Sequence, residues 1–161
     1  MRIVNVLNAV FTQFFIMFLG CGRYMTFWIT DNLGTCALSE LTEEGAVVFD
    51  VRDIADGKNN TPDHPFDKVV YKLNTLVHVY YENTIDNFKL VVRCAAGVSR
   101  SNAFAAGLIA YNKNISFEDA LNEVKAKVPR AYPNPDICDD IKEALRILRE
   151  SPSKRLKDYL E

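Results

Sequence analysis

The segment from Cys94 to Ser101 contains residue types that could carry out nucleophilic chemistry on a phosphate group. Cys94 precedes Arg100 by six positions, and Ser101 follows the arginine directly. A cysteine thiolate is a strong nucleophile, and an arginine guanidinium binds two phosphate oxygens at once in a bidentate fork. Gly97, between them, permits a tight turn with no side chain over a bound anion. This spacing predicts a nucleophile and a phosphate-binding cation within one short loop.

The flanking sequence predicts a strand and a helix that position this loop. Residues 90–92 form an apolar, β-branched run of the kind found in buried strands. The helix after the loop is small-faced and suited to close packing on a sheet, with Ala103, Ala106, Gly107 and Ala110. Free backbone N–H groups of the loop and the helix N-terminus then converge on one anion, and their positive field favours a thiolate. The Ser101 hydroxyl is placed to donate a hydrogen bond to the sulfur.

This run resembles the Cys-x5-Arg-Ser signature of the protein tyrosine phosphatase superfamily, and residues 95–101 (AAGVSRS) look most like the dual-specificity phosphatases. The resemblance covers most of the chain from Phe27 to Leu148. It includes Ala110-Tyr111, Ala120, Arg130 and Pro133-Asn134 in the downstream pattern. It implies a cysteine-dependent phosphatase that hydrolyses phosphotyrosine and phosphoserine/threonine on proteins through a phosphocysteine intermediate, with no metal or other cofactor.

The resemblance also assigns roles within the loop. Cys94 is the implied nucleophile, Arg100 holds the phosphate, and Ser101 helps the sulfur leave when the intermediate breaks down. The implied phosphate-binding residues are Ala95, Ala96, Gly97, Val98, Ser99 and Arg100.

Two features depart from the family pattern. The family has a histidine before the nucleophile, whereas here that residue is Arg93. In one interpretation its charge favours the thiolate; in the other, Arg93 pairs with a sheet-edge acid such as Asp50 or Asp53. The family also often has an extra strand after the strand expected at 46–51, and this sequence has no room for it. The predicted fold is therefore α/β, with a mostly parallel four-stranded sheet flanked by helices, similar to the dual-specificity phosphatases.

The family mechanism needs an aspartic acid that protonates the leaving group. Asp56 begins the segment Asp-Gly-Lys-Asn-Asn, which is similar to the acid loops of compact family members. Asp63 has a familiar spacing, 31 residues before Cys94, but Thr61-Pro62-Asp63 also matches a helix start with Thr61 as the N-cap. Asp53 lies at the end of a predicted strand. The sequence favours Asp56 and leaves Asp63 and Asp53 open.

The remaining chain from Met25 onward alternates predicted strands and helices. Strands are expected near the start of this part, at 34–38 and at 46–51, with a short helix capped by Ser39 and ending at Gly45. Later helices are expected after Thr61, after Ser116, and at 137–149.

Composition sets the broad class of protein. The chain has 161 residues, of which 48% are hydrophobic and 25% charged, with a net charge of −2. These values are typical of one globular domain and argue against a dedicated nucleic-acid binder. The four cysteines lack metal-ligand spacing, so a zinc site is not expected, and thiol chemistry requires a reducing compartment such as the cytoplasm.

Three segments are expected: an apolar N-terminal appendage (1–24), a catalytic domain (25–150) and a C-terminal tail (151–161). No charged residue occurs from Ile3 to Gly22. This run has three open interpretations: a mis-assigned start before Met25, a membrane-associating helix with contact through residues 3–20, or a cleaved signal.

Other functions remain possible on the sequence alone. One is a catalytically weak pseudophosphatase that binds phosphoproteins, and others are an RNA 5′-phosphatase and a rhodanese-like sulfurtransferase. Uncharged residues at the variable loop positions argue against a phosphoinositide substrate, because such enzymes tend to add lysines there. The expected partner is a phosphoprotein substrate, with no nucleic acid. The natural substrate and the oligomeric state are not predicted.

Overall fold

A computed structural model describes residues 25–83 and 88–150 of the chain. Within them, four strands form one sheet: β1 (Phe27–Trp28), β2 (Leu33–Ala37), β3 (Val47–Asp50) and β4 (Leu90–Cys94). The strand order is β1-β2-β4-β3. Strand β4 pairs in parallel with β2 and β3, and β1 is antiparallel to β2. The predicted α/β fold with a mostly parallel four-stranded sheet is confirmed.

The described residues also form four longer helices: α1 (Phe66–Glu82), α2 (Arg100–Lys113), α3 (Phe117–Lys127) and α4 (Pro135–Glu150). Helix α2 is buried over most of its length, from Ser101 to Ala110. Its small residues explain this position, since a Cβ added to Gly107 would meet side chains of both α1 (Leu73, 3.0 Å) and α4 (Ile141, 2.8 Å). The small-faced helix predicted after the loop is therefore packed between two other helices.

The sheet register brings the candidate site to one edge. Ala37 at the end of β2 is paired with Cys94 at the end of β4, and Asp50 at the end of β3 is paired with Arg93. The carboxyl ends of these three parallel strands therefore meet, which is where open α/β sheets bind ligands. Val91 and Val92 are fully buried in β4, so the strand that carries the cysteine is anchored in the core.

One predicted helix start and one predicted short helix are wrong. Helix α1 begins at Phe66, with Pro65 as its N-cap, and Thr61 lies in a preceding turn in which its Oγ1 accepts a hydrogen bond from the His64 N–H at 3.1 Å. Thr61 and His64 also exchange two backbone hydrogen bonds, so the turn satisfies the groups that a helix start would use. The short helix predicted from Ser39 is a turn instead.

The predicted appendage at 1–24 and tail at 151–161 lie outside the described residues. No helix in 25–83 or 88–150 has the length and apolar character needed to cross a membrane.

Candidate active site

Cys94 is held at the start of a loop whose backbone turns around its sulfur. The Gly97 N–H donates a hydrogen bond to the Cys94 Sγ at 3.2 Å, and the Ser101 Oγ lies 3.2 Å from the same sulfur. Gly97 has a φ of 67°, a left-handed conformation that favours glycine. The segment between β4 and α2 thus forms the predicted loop, in which Cys94 is only 2% exposed.

Arg100 is oriented by two backbone carbonyls of the segment that follows β3. Its Nη1 donates to the Arg52 carbonyl at 2.8 Å and to the Ile54 carbonyl at 3.0 Å. Its Nε is buried and has no hydrogen-bond partner in the described part of the chain. Because a buried donor without a partner is costly, this N–H is suited to an oxygen of a bound anion.

Cys94 and Arg100 line a cleft of about 340 Å³. The other lining residues are Asp56, Ala95, Ala96, Val98, Ser99, Tyr132, Asn134 and Pro135. Of the three candidate acids, Asp56 is the one that lines this cleft. Asp53 instead pairs with Lys72 at 2.9 Å and Lys68 at 3.4 Å. Asp63 is exposed in the turn before α1.

Asp56 is connected to the loop of Cys94 through Ser99. The Ser99 hydroxyl donates a short hydrogen bond to Asp56 Oδ1, and it accepts one from the Asn134 N–H at 2.9 Å. The Asn134 side chain in turn donates to the Asp56 carbonyl at 3.0 Å. The cleft therefore holds a carboxylate within the same hydrogen-bond network as the loop.

Asn59 holds the segment that carries Asp56 in place through hydrogen bonds. It is buried, with 2% of its surface exposed. Its Oδ1 accepts from the Ala55 N–H at 3.2 Å, and its Nδ2 donates to Asp140 on α4 at 2.9 Å. The Asn59 N–H also donates to the Asp140 carboxylate at 3.0 Å. These bonds tie the acid segment to α4.

Arg130 and Glu40 hold the opposite side of the loop. The Arg130 Nε donates to the Gly97 carbonyl at 3.1 Å, and its two terminal nitrogens bind the Glu40 carboxylate at 2.6 Å each. Glu40 also accepts the Ala37 N–H at 2.6 Å. The hydrogen bond from Arg130 holds the pKa of Glu40 below its ordinary value, so the pair is charged at neutral pH.

Arg93 pairs with Asp50, which was one of the two interpretations of its sequence position. Its Nη2 lies 2.9 Å from Asp50 Oδ2. Although burial raises the pKa of Asp50, hydrogen bonds from Arg52 and Arg93 lower it to about 2. The side chains of Arg93 and Cys94 leave opposite faces of β4, because successive residues of a strand alternate.

Sequence reasoning missed Glu40, Asn59, Asn102 and Asp140 as residues that support the site. Asn102 is fully buried, and its amide donates to the carbonyls of Gly97 at 3.0 Å and Val98 at 2.9 Å while its Oδ1 accepts from Thr35 at 2.9 Å. The one available signal was Asn102 in a helix whose other residues are mostly apolar.

The fold and the Cys94 loop together resemble one class of protein, the cysteine-dependent phosphatases with the dual-specificity fold. No model of a known protein family matches the sequence. Two curated relatives are similar in sequence. One is the putative tyrosine phosphatase 123R of Invertebrate iridescent virus 6, which is 34% identical over 82 residues, covering 51% of this chain and 56% of that protein. The other is the tyrosine-protein phosphatase pmp1 of Schizosaccharomyces pombe, 27% identical over 119 residues, covering 65% of this chain and 43% of that protein.

Solved structures share the fold. The phosphatase-domain protein with leucine-rich repeats from Entamoeba histolytica superposes with a TM-score of 0.63 and 11% identity, covering 80% of this chain and 96% of that one. DUSP15 superposes with a TM-score of 0.57 and 16% identity over the same shares. The chain thus has the dual-specificity phosphatase fold and is similar in sequence to tyrosine phosphatases, and the resemblance seen in the sequence is confirmed. It spans about half the length of the curated relatives that it matches.

Proposed function

We propose that this protein is a cysteine-dependent phosphatase that hydrolyses phosphomonoesters on proteins, both phosphotyrosine and phosphoserine/threonine. The observation that supports this most strongly is the composition of one cleft. It brings together the Cys94 sulfur, the Arg100 guanidinium with its partnerless Nε, and the Asp56 carboxyl. A nucleophile, a phosphate-binding cation and a candidate acid are the groups that phosphoryl transfer through a cysteine requires.

In the first step of the proposed reaction, the Cys94 thiolate attacks phosphorus. A sulfur–phosphorus bond forms while the bond from phosphorus to the ester oxygen breaks. Arg100 and the backbone N–H groups of the loop bind the oxygens of the transferring group. The carboxylic acid of Asp56 gives its proton to the departing oxygen, which leaves as an alcohol or phenol.

In the second step, water attacks the phosphocysteine. The water oxygen bonds to phosphorus, the sulfur–phosphorus bond breaks, and the Asp56 carboxylate takes the proton released by the water. The Ser101 hydroxyl lies 3.2 Å from the Cys94 sulfur, close enough to donate a hydrogen bond to the thiolate as it leaves. Inorganic phosphate is then released, and the enzyme returns to its starting state.

Asp56 is the proposed general acid because it shares the cleft with Cys94. Asp53 is engaged by two lysines, and Asp63 belongs to the exposed turn before α1. This proposal keeps the first preference from the sequence.

The enzyme is favoured over a phosphoprotein-binding module, since the curated relatives bear the names of tyrosine phosphatases. A protein substrate is favoured over an RNA 5′-phosphate because Arg100 is the one basic residue among those lining the cleft. Residues 25–150 are proposed as the catalytic domain. The cytoplasm is the proposed location, since a reactive thiol requires a reducing compartment.

The test is turnover of para-nitrophenyl phosphate by the wild type and by Cys94→Ser. We expect the variant to be inactive, because a serine hydroxyl at that position has no positioned base. It should keep its fold and still bind vanadate or phosphate through Arg100 and the loop. Turnover by Cys94→Ser at a near-normal rate, or activity abolished by EDTA, would refute the proposed function.

A further inference from the structure

The general acid proposed above is connected to the phosphate loop itself, through a residue of that loop. We infer that Ser99 is a positioning residue that holds the Asp56 carboxyl ready to transfer its proton, with Asn134 orienting Ser99. This inference rests on the proposed function, and it assigns a further role to a residue for which the resemblance implied only phosphate binding.

The direction of the hydrogen bonds supports this role. The Asn134 N–H donates to the Ser99 Oγ at 2.9 Å, so the hydroxyl hydrogen is left to point at Asp56 Oδ1. The other carboxyl oxygen, Oδ2, has no partner in the described part of the chain, and it is the oxygen left to carry the proton. The Asn134 amide also binds the Asp56 backbone carbonyl at 3.0 Å. Backbone and side chain of Asp56 are therefore both fixed by groups that line the cleft.

The Ser99 hydroxyl has no other structural task in the described residues. Ser99 occupies the N-cap position of α2, where serine commonly binds a free N–H of the first helical turn, but here its side chain makes no capping bond. The residue is only 8% exposed, so its hydroxyl is not kept in place by solvent. The hydrogen bonds of this hydroxyl therefore connect Asn134 to Asp56.

A positioning role for the acid predicts an effect that depends on the leaving group. Phenol, with a pKa of about 10 like a tyrosine side chain, needs a proton as it departs, whereas para-nitrophenolate leaves readily without one. Ser99→Ala should therefore lower kcat/KM about tenfold or more for phenyl phosphate, since misplaced catalytic groups lose up to about a hundredfold. The kcat/KM for para-nitrophenyl phosphate should change much less. Ser99→Thr keeps the hydroxyl and should restore most of the lost rate.

Ser101→Ala is the matched control, because it removes a hydroxyl from the same loop on the other side of Cys94. It should slow breakdown of the phosphocysteine, which is the same intermediate for both substrates, so that their kcat values converge, whereas Ser99→Ala should make their kcat/KM values diverge. Asp56→Asn should reproduce the leaving-group dependence of Ser99→Ala. In the Asp56→Asn background, Ser99→Ala should add little further loss, since a residue that acts through Asp56 has nothing left to position.

The experiment measures kcat/KM for both substrates with these variants, after circular dichroism has shown that each is folded. If Ser99→Ala does not fold, Ser99→Cys serves in its place, because a thiol has a similar shape and is a weak donor. Equal losses for phenyl and para-nitrophenyl phosphate, or full additivity of Ser99→Ala with Asp56→Asn, would overturn the inference. Failure of the proposed function is seen separately, as turnover by Cys94→Ser.

Discussion

Replacing Gly97 by alanine tests whether the turn around the Cys94 sulfur depends on a bare backbone. A Cβ built at this position would lie 2.5 Å from Arg130 Nη2 and 2.9 Å from the Ala37 nitrogen. Gly97 also has a φ of 67°, which an alanine adopts only with strain. The substitution therefore combines backbone strain with displacement of the Arg130 guanidinium.

The expected cost follows from these two contributions. Left-handed backbone costs a non-glycine residue about 1–2 kcal/mol. Displacing Arg130 weakens its bonds to Glu40 and to the Gly97 carbonyl, and hydrogen bonds to charged groups are worth about 1.5–3 kcal/mol. The unfolding free energy of Gly97→Ala should thus fall by about 2.5–5 kcal/mol. Turnover should fall as well, because the Gly97 N–H contacts the Cys94 sulfur.

Two other glycines provide matched controls in urea unfolding. Gly45 also has a positive φ, 81°, but a Cβ there meets nothing within 4 Å, so Gly45→Ala measures strain alone. Gly57 has open space and no positive φ, and Gly57→Ala should be neutral or slightly stabilising because it restricts the unfolded chain. If Gly97→Ala costs no more than Gly45→Ala, the contact with Arg130 has no role in stability and the reasoning fails.

Three further predictions concern the site. Arg100→Lys should lose about 2–4 kcal/mol of transition-state stabilisation, because an ammonium cannot form the bidentate fork; kcat/KM within about threefold of wild type would contradict this. Arg130 lowers the folded-state pKa of Glu40 from 4.5, so this carboxylate stabilises fully above that value and less as the pH falls through the lowered pKa. The difference in unfolding free energy between wild type and Glu40→Gln should therefore shrink from about pH 7 to about pH 3, and a constant difference would contradict it. Tyr132 lines the cleft and is 78% exposed, so its ring is free to contact a substrate ring. Tyr132→Ala should therefore cost a phosphotyrosine peptide about 0.5–1.5 kcal/mol more transition-state stabilisation, measured from kcat/KM, than the matching phosphoserine peptide. Equal losses for the two peptides would contradict this.

The Cys94 loop could be predicted because all its parts are adjacent in the sequence. A buried strand, a cysteine, a glycine and the small-faced start of a helix follow one another within about twenty residues. Each element has a local signal, such as an apolar run for β4 or small side chains for α2. These local signals predict that a loop connects β4 to α2, although its carbonyls are also bound by distant groups such as Arg130.

The supporting contacts could not be predicted, because each joins segments that are far apart in the sequence. Glu40 and Arg130 are separated by 90 residues, and Asn59 and Asp140 by 81. The charged pair is read from a single sequence as two solvated surface residues. Only the packing of the segment after β2 and the segment before α4 against the loop shows that these side chains are partly buried and bound to each other.

The choice of general acid also depends on contacts between distant segments, which the sequence alone does not show. Asp53, Asp56 and Asp63 carry the same carboxyl group within one polar segment, so chemistry alone does not separate them. Their partners do. Asp53 is neutralised by two lysines, and Asp63 lies in a turn whose hydrogen bonds also explain why the predicted helix start at Thr61 was wrong. Asp56 receives the Ser99 hydroxyl in the cleft of Cys94. What distinguishes the proposed general acid from the other two carboxyl groups is therefore its hydrogen-bond partner, Ser99, which lies 43 residues away in the chain.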